Sequence, residues 1–99
     1  MLTIKKTIEN GKAVLAPEGR LDTVTAPKME AEIKAVLQTA NDLTLDFAQL
    51  DYISSAGLRV LLSAQKSIAK QGKMKIINVH QTIMEIFDVT GFSDILTIE

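Results

Sequence analysis

The chain has 99 residues, 46% of them hydrophobic and 23% charged, and its composition fits one globular domain spanning residues 1–99. Its 11 basic and 12 acidic residues leave a net charge of −1, and aromatics make up only 4%, which argues against nucleic-acid binding. The lack of cysteine removes disulfides and thiolate zinc sites, Lys5 and Lys6 precede no apolar signal segment, and no apolar run could insert into a membrane, so a cytoplasmic location is expected.

From the N-terminus, Leu2, Ile4, Lys6 and Ile8 alternate before Asn10-Gly11, a pair suited to the positive φ angles of a two-residue hairpin turn. The opening therefore reads as two antiparallel strands, with Pro17 expected at an edge or a strand end. Thr25 is a candidate N-cap for a helix in which Pro27 occupies the first turn. Met29, Ile33, Val36, Leu37 and Ala40 share one face of that helix, and Glu30 and Lys34 are spaced to pair on the other. "DLTLDF" alternates as a strand through Leu43, Leu45 and Phe47.

After "DYISSAGLRVLL", a second helix carries Leu58, Leu61, Leu62, Gln65, Ile68 and Ala69 on its inner stripe, with Gly72 as its stop. "KMKIINV" is nearly continuous in apolar residues and reads as a central strand. "QTIMEIFDVTG" forms a third helix with Ile83, Ile86 and Phe87 inward and Gly91 ending it, and "DILTIE" reads as a last strand. Alternating strands and helices behind a hairpin predict an α/β fold: a mixed, mostly parallel sheet with an N-terminal antiparallel hairpin and helices packed on it.

The small residues Ser54-Ser55-Ala56-Gly57 interrupt an apolar run where the second helix begins. In this reading the preceding strand ends near Phe47 and the helix starts at or just after Ser55. Loops at the carboxyl ends of strands are where α/β proteins build their sites. There a serine hydroxyl has three possible roles: capping the helix, acting as a nucleophile, or accepting a phosphate that the unpaired amides and dipole tolerate. Nucleophilic chemistry needs a base, and His80 is the only histidine; no G-x-S-x-G elbow accompanies it. Asp22, Asp46 and Asp51 lie near strand ends without a calcium-loop spacing, and Asp46 is expected to face solvent or to orient a loop. No glycine-rich nucleotide motif occurs, so neither a cofactor nor a metal is expected. Arg59, Ser63, Lys66 and Lys70 form a solvated row on the second helix. Arg59 lies four residues beyond Ser55, within reach of a phosphate there. Val60, beside Ala56, is expected to leave a small, partly exposed apolar patch.

The segments "GRLDTVTA", "LTLDFAQLDYISSAGLRVLL" and "IFDVTGFSDILTI" resemble those of STAS-domain proteins of the anti-sigma factor antagonist family, over almost the whole chain. In that family the serine two residues before the motif glycine is phosphorylated. Gly57 places this role on Ser55, while Ser54, where the family usually has aspartate, is a rival acceptor. The resemblance implies a non-enzymatic partner switch. The unmodified protein binds an anti-sigma factor of the histidine-kinase-like ATPase type and frees the sigma factor. That partner's phosphorylation of Ser55 ends the complex, and a metal-dependent serine phosphatase restores it. The implied partner surface is Asp22, Thr23, Ser54, Ser55, Ala56, Gly57, Arg59 and Val60. The alternative is a non-switching STAS subunit of a signalling or lipid-transport complex, in which Ser55 only caps the helix.

Overall fold

Asn10 and Gly11 take φ of 51° and 78° in the computed structural model, which describes residues 2–99. They close the expected hairpin between β1 (Leu2–Glu9) and β2 (Lys12–Leu21), paired from Leu2↔Gly19 to Glu9↔Lys12. On its other flank β2 carries two parallel partners end to end. β3 (Asp42–Asp46) lies along Lys12–Leu15, and β4 (Leu50–Ile53) along Gly19–Leu21. β5 (Lys73–Ile77) pairs parallel with β3, giving the order β1-β2-β3-β5 with β4 beside the far end of β2.

Four strand expectations need correction. Pro17 is neither at a strand end nor on an edge strand. It sits inside β2, buried, in the gap where β3 has ended and β4 has not begun, and a missing amide proton breaks no parallel ladder there. β4 was not anticipated: it intervenes between Phe47 and the serines, so the strand feeding Ser55 ends at Ile53. β5 is not central, because only a short stretch of chain lies beyond it. That stretch is the segment read as a last strand, and it supplies one bridge, Ile76↔Ile98, after a 3-10 turn at Phe92–Asp94. The Ile76 amide donates to the Thr97 carbonyl and the Glu99 amide to the Ile76 carbonyl, both at 2.9 Å.

Helices α1 (Ala26–Leu37) and α2 (Ser55–Ile68) bring Met29, Ile33, Val36, Leu58, Leu61, Ala64 and Ile68 to the core. There they meet Ala13, Leu15, Leu43, Leu45, Met74 and Ile76, the residues of one face of the sheet. The alternating residues on the other face, among them Lys12, Val14, Asp42, Thr44, Lys73 and Lys75, are not buried, so that face is open. α3 (Gln81–Thr90) buries Ile83 and Phe87 but leaves Ile86 only half-buried, and it ends at Gly91 with φ 82°. The expected Glu30–Lys34 pair is present at 3.9 Å on an exposed helix side, where it adds little stability. Gly72 is not the stop of α2, which is already capped at Ala69; a side chain at Gly72 would run into the Asn41 carbonyl.

Candidate functional site

Two turns meet at the carboxyl end of the sheet. The first follows β2 and leads into α1. Asp22 Oδ1 accepts the amides of Val24 and Thr25, both at 3.1 Å, as an aspartate does in a local turn. Thr25 occupies the N-cap position of α1 but makes no capping bond with its side chain. Its hydroxyl instead donates to the Arg20 carbonyl at 2.7 Å and accepts the Asp22 amide at 2.9 Å, tying the turn back to β2. The Thr25 amide is the main cause holding the Asp22 carboxyl below its ordinary pKa; the Val24 amide, Arg20 and the Thr25 hydroxyl, which shares its one proton between the Arg20 carbonyl and Asp22 Oδ1 at 3.1 Å, add to it, against partial desolvation. Arg20 lies 3.8 Å from Asp22 and stacks over Tyr52 of β4, 4.1 Å from the ring centroid.

The second turn joins β4 to α2 and is held by packing. The Ser54 amide donates to the Leu21 carbonyl at 2.9 Å, which places the two turns side by side. Gly57 is buried so tightly that a Cβ there would lie 2.7 Å from Ile53 Cγ1, 2.8 Å from Leu21 Cγ and 3.1 Å from the Leu21 carbonyl. Glycine is required because α2 rests directly on β2 and β4.

Within this frame the two serines differ. Ser54 is the N-cap residue, extended at φ −101° and ψ 177°, yet its side chain makes no capping bond. Its Oγ is buried with no hydrogen-bond partner. Ser55, the first helical residue, is exposed. The first turn of α2 carries no acidic residue, so its amides and dipole are not offset by a negative charge of their own. Arg59, one turn on, is exposed, and among the described residues it forms no ion pair.

The remaining candidates divide by burial. Thr23 is exposed and Asp22 half-buried beside the serine turn. Val60 is only 7% exposed, not the partly exposed patch expected of it, because α1 packs over this side of α2. With the equally covered Ala56 it lies between the helices, under a groove rimmed by Thr23, Pro27, Arg59 and Ser63. Val24 was missed, although it is 85% exposed at the tip of the first turn. The only signal for it in the sequence is a β-branched residue inside a polar turn.

His80 serves another purpose: its Nε2 is 2.6 Å from the Ala48 carbonyl, joining the start of α3 to the β3–β4 loop. Asp46 orients the same loop by accepting the Ala48 amide and the Asn78 side-chain amide, both at 3.0 Å, while Asp51 is exposed. Among the described residues no three histidine, cysteine, aspartate or glutamate side chains gather as metal ligands, and no helix is long and apolar enough to cross a membrane. Chemically, the arrangement offers an exposed hydroxyl on a helix N-terminus whose first turn carries no acidic residue, flanked by a hydrogen-bonded turn.

The profile of the STAS domain matches residues 3–99. The BtrV protein of Bordetella bronchiseptica is 32% identical over 91 residues, covering 90% of this chain and 78% of its own. The anti-sigma-B factor antagonist of Bacillus subtilis is 30% identical over 81 residues, covering 81% and 74%. Among solved structures, an anti-sigma factor antagonist from Mycobacterium paratuberculosis superposes with a TM-score of 0.89 at 22% identity, over 99% of this chain and 85% of that one. The Bacillus protein SpoIIAA, solved in unphosphorylated and phosphorylated forms, gives TM-scores of 0.77 and 0.76 at 17% identity, over 98% of this chain and 87% and 91% of those. At such identities the structures establish the shared fold.

Proposed function

The chain belongs to the STAS domain family, among the anti-sigma factor antagonists, and we propose that it works as a partner switch whose acceptor is Ser55. Unmodified, it binds an anti-sigma factor through the serine turn, the Asp22–Thr25 turn and the exposed Arg59, and so frees the sigma factor. The partner is an ATPase of the histidine-kinase-like type that phosphorylates Ser55, and a metal-dependent serine phosphatase reverses the modification. Nucleotide and metal are thus the partners' own.

The observation that carries this reading is the contrast between the serines: Ser55 is exposed, whereas the Ser54 hydroxyl is sealed from solvent. A kinase can reach the first and not the second. A non-switching subunit with Ser55 as a mere cap is less well supported, since the cap position belongs to Ser54. A phosphate brings about −1.5 to −2 charges, which the bare amides of α2 and Arg59 can receive without unfolding the helix. The penalty then falls on the complex, through bulk and desolvation at the interface. A loss of ~3 kcal/mol would weaken binding more than a hundredfold. Incubation with the cognate anti-sigma factor and ATP, followed by mass spectrometry, tests the assignment. Ser55→Ala should abolish phosphorylation and Ser54→Ala should leave it intact; persistent labelling of Ser55→Ala would refute the site.

A further inference from the structure

The open face of the sheet carries a charge pattern that the switch does not use. The register sets Glu9, Lys12, Asp42 and Lys73 side by side across β1, β2, β3 and β5, a row of alternating negative and positive groups. Neighbouring pairs in this row could in principle close within the chain, as cross-strand charges do. However, none of them is among the ion pairs formed by the described residues, which here engage Lys5 with Glu18 and Lys75 with Glu99. The next row, Thr7, Val14, Thr44 and Lys75, is neutral over three strands, with Val14 37% exposed at its centre.

We propose that this face is the docking surface for a second copy of the chain, stacked sheet on sheet about a two-fold axis that runs along the strands between β2 and β3. Rotation about that axis reverses the order of the row. Glu9 then faces Lys73 of the other copy, and Lys12 faces Asp42, so each of the four charges in this row meets an opposite, while Lys75 in the next row meets the uncharged Thr7. A two-fold across the strands at the level of this row would set Glu9 against Glu9 and Lys12 against Lys12, so the row favours the axis along the strands. Stacked sheets lie about 10 Å apart, a gap that opposed lysine and carboxylate side chains can span.

Four strands about 4.8 Å apart and about 17 Å long present roughly 330 Å² on each copy, about 650 Å² in total before side-chain relief, which is the size of a weak, transient contact and not of a permanent complex. The dimer is accordingly weak, populated at high protein concentration, and sensitive to salt. Ser55 lies at the end of the sheet and not on this face, so dimerisation and the switch stand or fall separately.

Sedimentation at low ionic strength tests the proposal. The wild type should pass from monomer to dimer with rising concentration and revert in high salt. Lys12→Glu and Asp42→Lys should each weaken the dimer about thirtyfold, because two attractive contacts become repulsive in each homodimer. An equimolar mixture of the two variants should dimerise again, since all four facing pairs are then opposite in sign. A cis interaction within one chain could not produce that rescue. If either variant melts well below the wild type, Glu9→Lys and Lys73→Glu on the outer strands provide the same complementation. A wild type that stays monomeric at every concentration, single variants that dimerise normally, or a mixture that remains monomeric would each overturn the proposal.

Discussion

The two turns at the carboxyl end of the sheet are held in opposite ways. Between Asp22 and Thr25 the contacts are polar and local: a carboxylate accepting two amides, and a hydroxyl bonded in both directions. Between Ser54 and Gly57 the turn is fixed by the close approach of Gly57 to Leu21 and Ile53, while the Ser54 hydroxyl has no partner. The first turn has spent its bonding capacity on its own shape. The second takes its shape from packing and keeps its first-turn amides free for an incoming charge. The switch proposed for this chain needs both: a rigid frame for recognition, and beside it a place where a phosphate can arrive without displacing an existing bond.

The strongest way to break this contrast is to attack the packing. Gly57→Ala should cost about 1–3 kcal/mol through overpacking against Ile53 and Leu21, outweighing the gain in helix propensity. Denaturant melts that match the wild type would show that packing does not hold the second turn. Next in size is the polar turn. Asp22→Ala should lower the melting temperature, and Asp22→Asn should do so less, since it keeps an acceptor. Because folding lowers the Asp22 pKa, its charged form stabilises the protein above the ordinary carboxylate pKa, and that contribution is lost as pH falls through the lowered value. The gap in melting temperature between wild type and Asp22→Asn should therefore close in acid, and a gap independent of pH would remove the charge from the explanation.

Smaller effects sharpen the comparison. Ser55→Asp should stabilise the fold by about 0.3–1 kcal/mol at low salt, by placing a negative charge on the bare helix N-terminus. Adding Arg59→Ala should take part of that gain away. Destabilisation by Ser55→Asp would show that the second turn cannot receive charge. The smallest change belongs to Ser54→Ala. Loss of a working N-cap costs about 1 kcal/mol, but this hydroxyl makes no capping bond, so thermal melts should move by less than about 0.5 kcal/mol.

Much of the framework was legible in the chain because its signals are local. Asn10-Gly11 marked the hairpin, and Met29, Ile33 and Val36 marked the inner face of α1 at helical spacing. The serine–glycine turn likewise stood out as a break in an apolar run. Misread parts depended on distant partners. "LDYI" does not alternate, since Asp51 and Tyr52 are both exposed, and it becomes β4 only because the far half of β2 is left free by β3. Ile95, Leu96 and Ile98 suggested a strand, but the 3-10 turn at Phe92–Asp94 delivers only one of them to β5. Val60 was placed at the surface from the angle of α2 alone; α1, which covers it, is a tertiary fact. The difference between Ser54 and Ser55 was equally hidden, because burial of one hydroxyl and exposure of the next is decided by how α2 lands on the sheet.

Calorimetric titration of the cognate anti-sigma factor into this protein, unmodified and phosphorylated on Ser55, bears most directly on the proposed switch. Phosphorylation should weaken the complex by about a hundredfold or more while the melting temperature of the free protein stays level or rises. Equal affinity for the two forms, or a loss of binding that tracks unfolding of the phosphorylated chain, would contradict it.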